Sequence, residues 1–251
     1  MRGVLLRDAR RFSEQEMVDR ARAVTSLSLR PLVAESSIDK ASVFVVARDG
    51  APRVVLVDCG LKQNIARALA ARSLEIMMVP HNATAGEIRA LNPQGVLFSN
   101  GPSDPATLPW IVDAARALLA TDIPLMGICL GHQILGQAIG ATTSRLKFGH
   151  HGANHPVKDL LTGRVHITSQ NHEYQVDAAT IPSDSGFFVS HVNLNDGSVE
   201  GLAHRERPVF SVQYHPEAAP GPQDNQYVFD KFAEMVRKYA QEQGAVAARA
   251  Q

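Results

Sequence analysis

The chain has 251 residues, of which 25 are lysine or arginine, 25 are aspartate or glutamate, and 45% are hydrophobic. This length allows one large domain with a buried core, and the balanced charge gives no electrostatic reason to expect nucleic acid or a membrane surface as partner. The apolar runs are too short to cross a bilayer, and the N-terminus lacks the apolar stretch of a secretory signal. Two cysteines do not form a disulfide framework, so we expect a reducing, cytoplasmic location.

The first 42 residues lack the alternation of strands and helices that follows them. Residues 4–6 are predicted to form a short strand and residues 13–24 a helix, with Ser13 and Glu16 as its capping box. We predict three parts, which are an N-terminal segment with a linker at residues 1–42, a main domain at 43–242, and a flexible Ala-rich tail at 243–251.

From Val54 onward the pattern is that of an α/β protein. Val54 to Asp58 is a continuous apolar run, as expected for a strand buried on both faces of a parallel sheet. The predicted elements after it are the helix 61–72, the strand 75–79, a short helix capped by Thr84 and Glu87, the strand 95–99, the helix 109–120, the strand 123–128 and the helix 130–139. This alternation implies an open, mostly parallel sheet with helices on both faces.

After Gly140 the pattern changes to strands and turns, which predicts an antiparallel extension of the sheet. Asn195-Asp196-Gly197 is a strong hairpin-turn signal. The predicted elements of this half are the strands 164–169, 186–191 and 209–213 and an amphipathic last helix, 227–239.

A candidate nucleophile, Cys129, lies where a buried strand turns directly into a helix, in the sequence Gly-Ile-Cys-Leu-Gly. Small neighbours allow the tight turn of a nucleophile elbow. The helix N-terminus favours a thiolate and can stabilise an oxyanion. Taken alone, Cys129 could equally be a small buried hydrophobic residue.

Two further segments are predicted to lie at the same edge of the sheet. His215 and Glu217 follow a buried strand, and an imidazole there can hold the thiolate while the carboxylate orients the ring. The turn from Ser99 to Pro105 is rich in glycine and proline, and it can direct the backbone N–H of Gly101 at a tetrahedral oxyanion.

Together these three segments resemble the triad-type, class I glutamine amidotransferases, and the similarity extends over about residues 53–240. Residues 147–158 and 218–224 are also similar to the small-subunit family of carbamoyl-phosphate synthetase. The resemblance implies that Cys129 hydrolyses glutamine through a thioester, with His215 and Glu217 as its partners. It assigns the oxyanion hole to the backbone N–H groups of Gly101 and Leu130. The remaining implied substrate contacts are Ser103, Gln133, Asn171, Glu173 and Tyr174.

In the family that this chain resembles, ammonia travels to a large subunit that makes carbamoyl phosphate from bicarbonate and ATP, for pyrimidine or arginine synthesis. The implied partners are therefore L-glutamine and that large subunit. No cofactor is implied in this chain, since ATP and a divalent metal are expected only on the large subunit. The family's small subunit has a longer N-terminal domain, and residues 1–42 resemble only its last part.

Two positions depart from the family pattern, because Ser103 and Glu173 replace glycines. A positive φ at Ser103 would strain its backbone by about 1 kcal/mol or more. The carboxylate of Glu173 would lie close to the expected position of the substrate carboxylate, where it could point away or pair with a cation.

The remaining conspicuous side chains receive structural interpretations. We expect a solvated or interface loop rather than a metal site at His150, His151 and His155, a structural thiol at Cys59, a packed or hydrogen-bonded His132, and a core anchor at Trp110.

Two alternatives to a synthetase glutaminase subunit stay open. One is a cysteine peptidase or other hydrolase of the same fold, and the other is a weakly active or regulatory module.

Overall fold

The computed structural model describes residues 3–25, 30–45 and 50–249. The helices in these residues are α1 (Glu14–Ala23), α2 (Leu32–Ser36), α3 (Gln63–Ala70), α4 (Ala85–Ala90), α5 (Pro109–Leu119), α6 (Leu130–Ala138) and α7 (Tyr227–Arg249). The strands are β1 (Ser42–Val45), β2 (Arg53–Asp58), β3 (Glu75–Pro80), β4 (Gly95–Phe98), β5 (Leu125–Ile128), β6 (Thr143–Asp159), β7 (Val165–Val176), β8 (Phe187–Asn193), β9 (Val199–His204) and β10 (Val209–Val212).

Within the described residues these ten strands form one sheet in the order β1-β3-β2-β4-β5-β10-β9-β8-β6-β7. The central strands β3, β2, β4, β5 and β10 are parallel. Antiparallel strands flank them, with β1 on one side and β9, β8, β6 and β7 on the other. The predicted α/β sheet with an antiparallel extension is therefore confirmed. Because β5 and β10 are parallel neighbours, the residues that follow each of them emerge at the same edge.

Each face of the sheet has its own buried core. Helices α4, α5 and α6 supply residues such as Ile88, Ile111 and Ile134 to one core. Helices α3 and α7 supply residues such as Ile65 and Phe232 to the other. Covering both faces explains why β4 and β5 are buried along their whole length and read as uninterrupted apolar runs.

Several local predictions are confirmed in the N-terminal half, and two are wrong. Both capping boxes form, at Ser13 and at Thr84. Residues 4–6, however, form no strand; Leu5 is 98% exposed, so this short apolar run does not pack into the sheet. Trp110 is not a core anchor, because it points outward from the first turn of α5 and is 44% exposed. Its indole N–H instead donates to Nδ1 of His81 at 3.1 Å.

The C-terminal half contains more regular structure than the sequence predicted. The segment around His150, His151 and His155 is not a loop but part of β6, which pairs antiparallel with β7. Strands β1 and β9 were also missed, while the predicted turn at Asn195-Asp196-Gly197 does connect β8 to β9.

The last helix continues past the predicted end at Tyr239 to Arg249. The division at residues 42 and 242 stays a prediction, and the end of the predicted tail lies outside the described residues. In the part of the chain that the structure describes, no helix has the length and apolar character needed to cross a membrane.

Candidate active site

The elbow at Cys129 has the backbone strain that the sequence predicted. Cys129 has φ 54° and ψ −103°, directly before the first residue of α6. A Cβ on Gly127 would lie 2.5 Å from the Gly131 carbonyl oxygen, and a Cβ on Gly131 would lie 2.1 Å from the Phe98 oxygen. Both positions therefore require glycine, because backbone atoms occupy the space of any side chain. Strain of this kind recurs where a nucleophile must project from the end of a strand.

Gly101 and Leu130, the two residues assigned to the oxyanion hole, lie next to each other at the elbow. Leu130 is the first residue of α6, so its N–H has no partner within the helix. Gly101 lies beside the elbow, since a Cβ there would meet the Cys59 carbonyl oxygen at 2.0 Å and the Leu130 side chain at 2.9 Å. The structure thus brings together the two residues assigned to the oxyanion hole.

A buried imidazole and carboxylate complete the cluster. Nδ1 of His215 lies 2.7 Å from Oε1 of Glu217, and the ring also hydrogen-bonds to the Cys129 side chain. Although burial opposes the charged imidazolium, the negative charges of Cys129 and Glu217 raise the pKa of His215 to about 10. Burial alone would raise the pKa of Glu217, yet His215 and Lys62 together hold it below its usual range. The arrangement therefore favours a charged imidazolium that lies between the Cys129 side chain and a supporting carboxylate.

Lys62 also contacts this cluster, although no sequence motif indicated it. Its Nζ lies 2.9 Å from Oε1 of Glu217 and donates to the Ala218 carbonyl at 2.6 Å. Its backbone N–H donates to the side chain of Asn100 at 2.9 Å, which ties the loop after β2 to the glycine- and proline-rich loop. A signal was available, because Lys62 follows a parallel strand whose carboxyl end lies at the same edge as Cys129.

Replacing Lys62 with methionine is expected to lower kcat/KM for glutamine about 10- to 100-fold, because Glu217 loses one of its two cationic partners and orients His215 less firmly. Steady-state kinetics of the purified variant would measure this. Lys62→Arg, which keeps the charge, is the control and should retain most activity. Wild-type kcat/KM in Lys62→Met would mean that the ion pair does not support the imidazole.

A cleft of about 700 Å³ opens above Cys129. Cys129 and Gly101 line it. Five of the residues assigned to substrate contacts also line it, namely Ser103, Gln133, Asn171, Glu173 and Tyr174. Gln133 is buried and its amide donates to the Tyr174 carbonyl at 2.8 Å and to Gln213 Oε1 at 3.0 Å. Residues of the N-terminal segment, including Val24, Arg30 and Leu32, form another part of the wall. The cleft thus presents amide and backbone groups suited to a small polar substrate.

The structure shows which backbone conformation Ser103 adopts and where the carboxylate of Glu173 points. Ser103 has φ 104°, in the region that favours glycine, so its side chain strains the loop. Glu173 finds a cation, since its Oε2 lies 2.7 Å from the guanidinium of Arg145 on β6. Both members of this pair are well exposed, so the carboxylate adds little uncompensated charge to the cleft.

Replacing Ser103 with glycine is expected to stabilise the fold by about 1 kcal/mol, because glycine adopts the positive φ without strain. Urea denaturation would measure the free energy of unfolding. Ser103→Ala keeps the Cβ and serves as the control, which should gain nothing. Equal stability of Ser103→Gly and the parent chain would show that the loop carries no such strain.

Two other side chains behave as predicted. Cys59 is a fully buried free thiol whose pKa burial raises far above its usual range. His132 is also fully buried; its Nδ1 lies 2.8 Å from the Ser211 hydroxyl, and burial lowers its pKa to about 3. Neither can act as a nucleophile or a general base near neutral pH.

A family model described as glutamine amidotransferase class-I matches residues 55–235. The carbamoyl phosphate synthase small chain of Symbiobacterium thermophilum is 51% identical over 217 residues, which are 86% of this chain and 59% of that relative. The corresponding proteins of Archaeoglobus fulgidus and Methanopyrus kandleri are 47% and 46% identical, over 88% and 95% of this chain. The chain spans 62% and 65% of their lengths.

A solved structure from Thermoplasma acidophilum, described as one of the subunits of a GMP synthase, matches with a TM-score of 0.66 at 20% identity. The match covers 78% of this chain and 100% of the other, and it supports the fold alone. The family model, in contrast, includes the elbow, the glycine- and proline-rich loop and the segment with His215 and Glu217. The chain therefore belongs to the class I glutamine amidotransferase family.

Proposed function

We propose that this chain hydrolyses L-glutamine to glutamate and ammonia with Cys129 as the nucleophile. The observation that carries the proposal is the buried cluster in which His215 bonds to both Cys129 and Glu217, on a strained elbow below a cleft with amide groups. Gln133 and Asn171 both line that cleft. A peptidase of the same fold would not need these two side chains, which favours glutamine as the substrate.

The proposed reaction proceeds through two tetrahedral species. The Cys129 thiolate forms a bond to the amide carbon, and the negative oxygen accepts hydrogen bonds from the N–H groups of Gly101 and Leu130. The imidazolium of His215 gives its proton to the departing nitrogen, so ammonia leaves and a thioester remains. Neutral His215 then takes a proton from water, whose oxygen attacks the thioester carbon. Glutamate departs and the thiolate–imidazolium pair is restored.

We further propose that the ammonia passes to a large synthetase subunit that makes carbamoyl phosphate from bicarbonate and ATP. Support comes from the small-chain names of the relatives and from residues 147–158, which resemble that family. In this proposal ATP and a divalent metal act on the large subunit, while this chain needs no cofactor of its own. A reducing cytoplasm suits the two free, buried cysteines.

The test is glutamate release from glutamine by the purified chain, alone and with the large subunit of one of the small-chain relatives' synthetases. The proposal predicts turnover that rises with the large subunit, because such sites often close fully only in the complex. Turnover that does not change when the large subunit is added would support glutamine hydrolysis by this chain. It would contradict the proposed association with a large subunit. Peptide hydrolysis without glutamine hydrolysis would favour the peptidase alternative, and a folded chain inactive toward both substrates would favour a regulatory module.

A further inference from the structure

An ion pair that the proposed mechanism does not use lies on the wall of the cleft. Oε2 of Glu173 on β7 lies 2.7 Å from the guanidinium of Arg145 on β6, and both residues line the cleft together with Cys129. Both side chains are well exposed, so a molecule in the cleft can reach both charges. An exposed pair of this kind adds little to the stability of a fold, which leaves it available for binding.

The backbone that carries Glu173 is held in place from two sides. Gly149 on β6 has φ 68°, and a Cβ there would lie 2.8 Å from the His172 carbonyl oxygen and 3.4 Å from Cα of Glu173. The Tyr174 carbonyl, which follows Glu173 in β7, accepts from the side-chain amide of Gln133 at 2.8 Å. The Glu173 side chain therefore starts from a fixed position in the cleft wall.

This position lies a short distance from the nucleophile. Gln133 is one turn into α6, where its N–H donates to the Cys129 carbonyl at 3.2 Å, and its side chain reaches the residue next to Glu173. In glutamine, three bonds separate the amide carbon from the α-carbon, which is a reach of about 4 Å at most. When the amide carbon lies at Cys129, the two charged groups on the α-carbon therefore stay inside the cleft, where Arg145 and Glu173 can meet them.

Arg30 and Asp104 also line the described part of the cleft, and both are engaged elsewhere. Arg30 pairs at 2.6 Å with Glu35, which does not line the cleft. The carboxylate of Asp104 caps the short helical turn that follows it and accepts from the Tyr174 hydroxyl. The ion pair between β6 and β7 is thus the place in the described cleft where opposite charges are presented side by side.

Both members of the pair keep unused hydrogen-bonding groups. A guanidinium carries five N–H donors, and one nitrogen of Arg145 bonds to Oε2 of Glu173. Among the described residues, the other nitrogens of Arg145 and Oε1 of Glu173 make no further hydrogen bond. The guanidinium can therefore bind a carboxylate and Glu173 can bind an ammonium group while the pair itself stays intact.

We propose that Arg145 and Glu173 recognise the charged head group of a free α-amino acid, with Arg145 bound to the α-carboxylate of glutamine and Glu173 to its α-ammonium group. In a glutamine within a peptide, both groups are part of amide bonds and carry no charge. The pair therefore selects free glutamine over peptide-bound glutamine. This inference deepens the proposed glutaminase function and rests on it.

Arg145→Met tests the contact with the carboxylate. The variant is compared on L-glutamine and on L-glutamine α-amide, which keeps the ammonium group and lacks the carboxylate, with ammonia release as the assay. The preference of the wild-type chain for L-glutamine, expressed as the ratio of the two kcat/KM values, is expected to fall about tenfold. This is the size expected for loss of one hydrogen bond between charged groups. The loss should appear in KM, with kcat for L-glutamine within about twofold of wild type.

Glu173→Gln tests the contact with the ammonium group. Here the second substrate is Nα-acetyl-L-glutamine, which keeps the carboxylate and lacks the positive charge. The preference for L-glutamine over this analogue is expected to fall about tenfold, and any effect on the shared carboxylate cancels in the ratio. If Glu173 instead only repelled the substrate carboxylate, the variant would bind both compounds more tightly with an unchanged preference, and the proposal would be overturned.

A structural role for the ion pair makes a different prediction. A pair that only joins β6 to β7 would change kcat/KM for L-glutamine and for both analogues by the same factor, and unchanged preferences in both variants would overturn the proposal. The matched control is the exposed ion pair between Arg116 and Asp113 on α5, which has a distance of 2.6 Å and does not line the cleft. Arg116→Met and Asp113→Asn should keep the wild-type preferences.

Calorimetric binding to the Cys129→Ser chain separates this inference from the proposed function. L-Glutamine is expected to bind about tenfold more tightly than its α-amide, and adding Arg145→Met should remove the difference. Glutamine hydrolysis without such a difference would support the glutaminase and overturn the inference. Charge-dependent binding by a chain that hydrolyses no glutamine would support head-group recognition and reject the glutaminase. Neither binding nor hydrolysis would reject both.

Discussion

Replacing Cys129 with serine is expected to abolish glutamate release, with a loss in kcat of at least about 10³-fold. His215 is tuned to stabilise a negatively charged sulfur, and its pKa of about 10 keeps it an imidazolium at neutral pH. A serine hydroxyl is a far weaker acid than a thiol, so it stays protonated beside His215 and is a poor nucleophile. Glutamate release measured with and without the large subunit would quantify the loss.

The matched control for this experiment is Cys59→Ala, which removes the other thiol of the chain. Cys59 is buried beside Ser99 and its raised pKa keeps it protonated, so its removal should leave kcat within about twofold of wild type. A loss of kcat in Cys129→Ser much smaller than about 10³-fold would contradict the assignment of the nucleophile. An equal loss in Cys59→Ala would contradict it as well.

The parallel half of the sheet could be predicted because its signals are local. A strand covered on both faces consists of one apolar run, as β4 does, and each capping box lies within four consecutive residues. The positions of Cys129 and His215 followed from one topological rule, since residues after parallel neighbours share an edge. These parts of the site required no knowledge of side-chain contacts.

The missed features depend on contacts between distant segments. Strand β6 carries few large apolar residues and is held by backbone pairing with β7, so its sequence resembles a loop. Arg145 reaches Glu173 across strands that are separated in sequence, which no spacing along the chain could reveal. Lys62 likewise becomes part of the site only because its side chain crosses to Glu217. Sequence patterns report local periodicity, whereas these contacts form only when segments that are distant in sequence come together in the folded chain.

Replacing Gly131 with alanine is expected to destabilise the fold by about 3 kcal/mol or more, because the added Cβ would lie 2.1 Å from the Phe98 carbonyl oxygen. Neither atom can easily move. Phe98 is the last residue of the buried strand β4, and the Gly131 N–H donates to the Ser99 carbonyl at 3.1 Å. Urea denaturation would measure the change in the free energy of unfolding.

Gly86→Ala is the control for this prediction, since it is the same substitution in the helix α4. A Cβ there would have its nearest contact at 3.8 Å, so alanine should be neutral or stabilising by up to about 1 kcal/mol. Any folded Gly131→Ala protein should also lose glutaminase activity. To relieve the clash, the end of β4 must move away from the elbow, and Gly101 follows that end of the strand. Equal stability of Gly131→Ala and Gly86→Ala would show that the close packing of elbow and strand, from which the oxyanion hole is built, does not exist in solution.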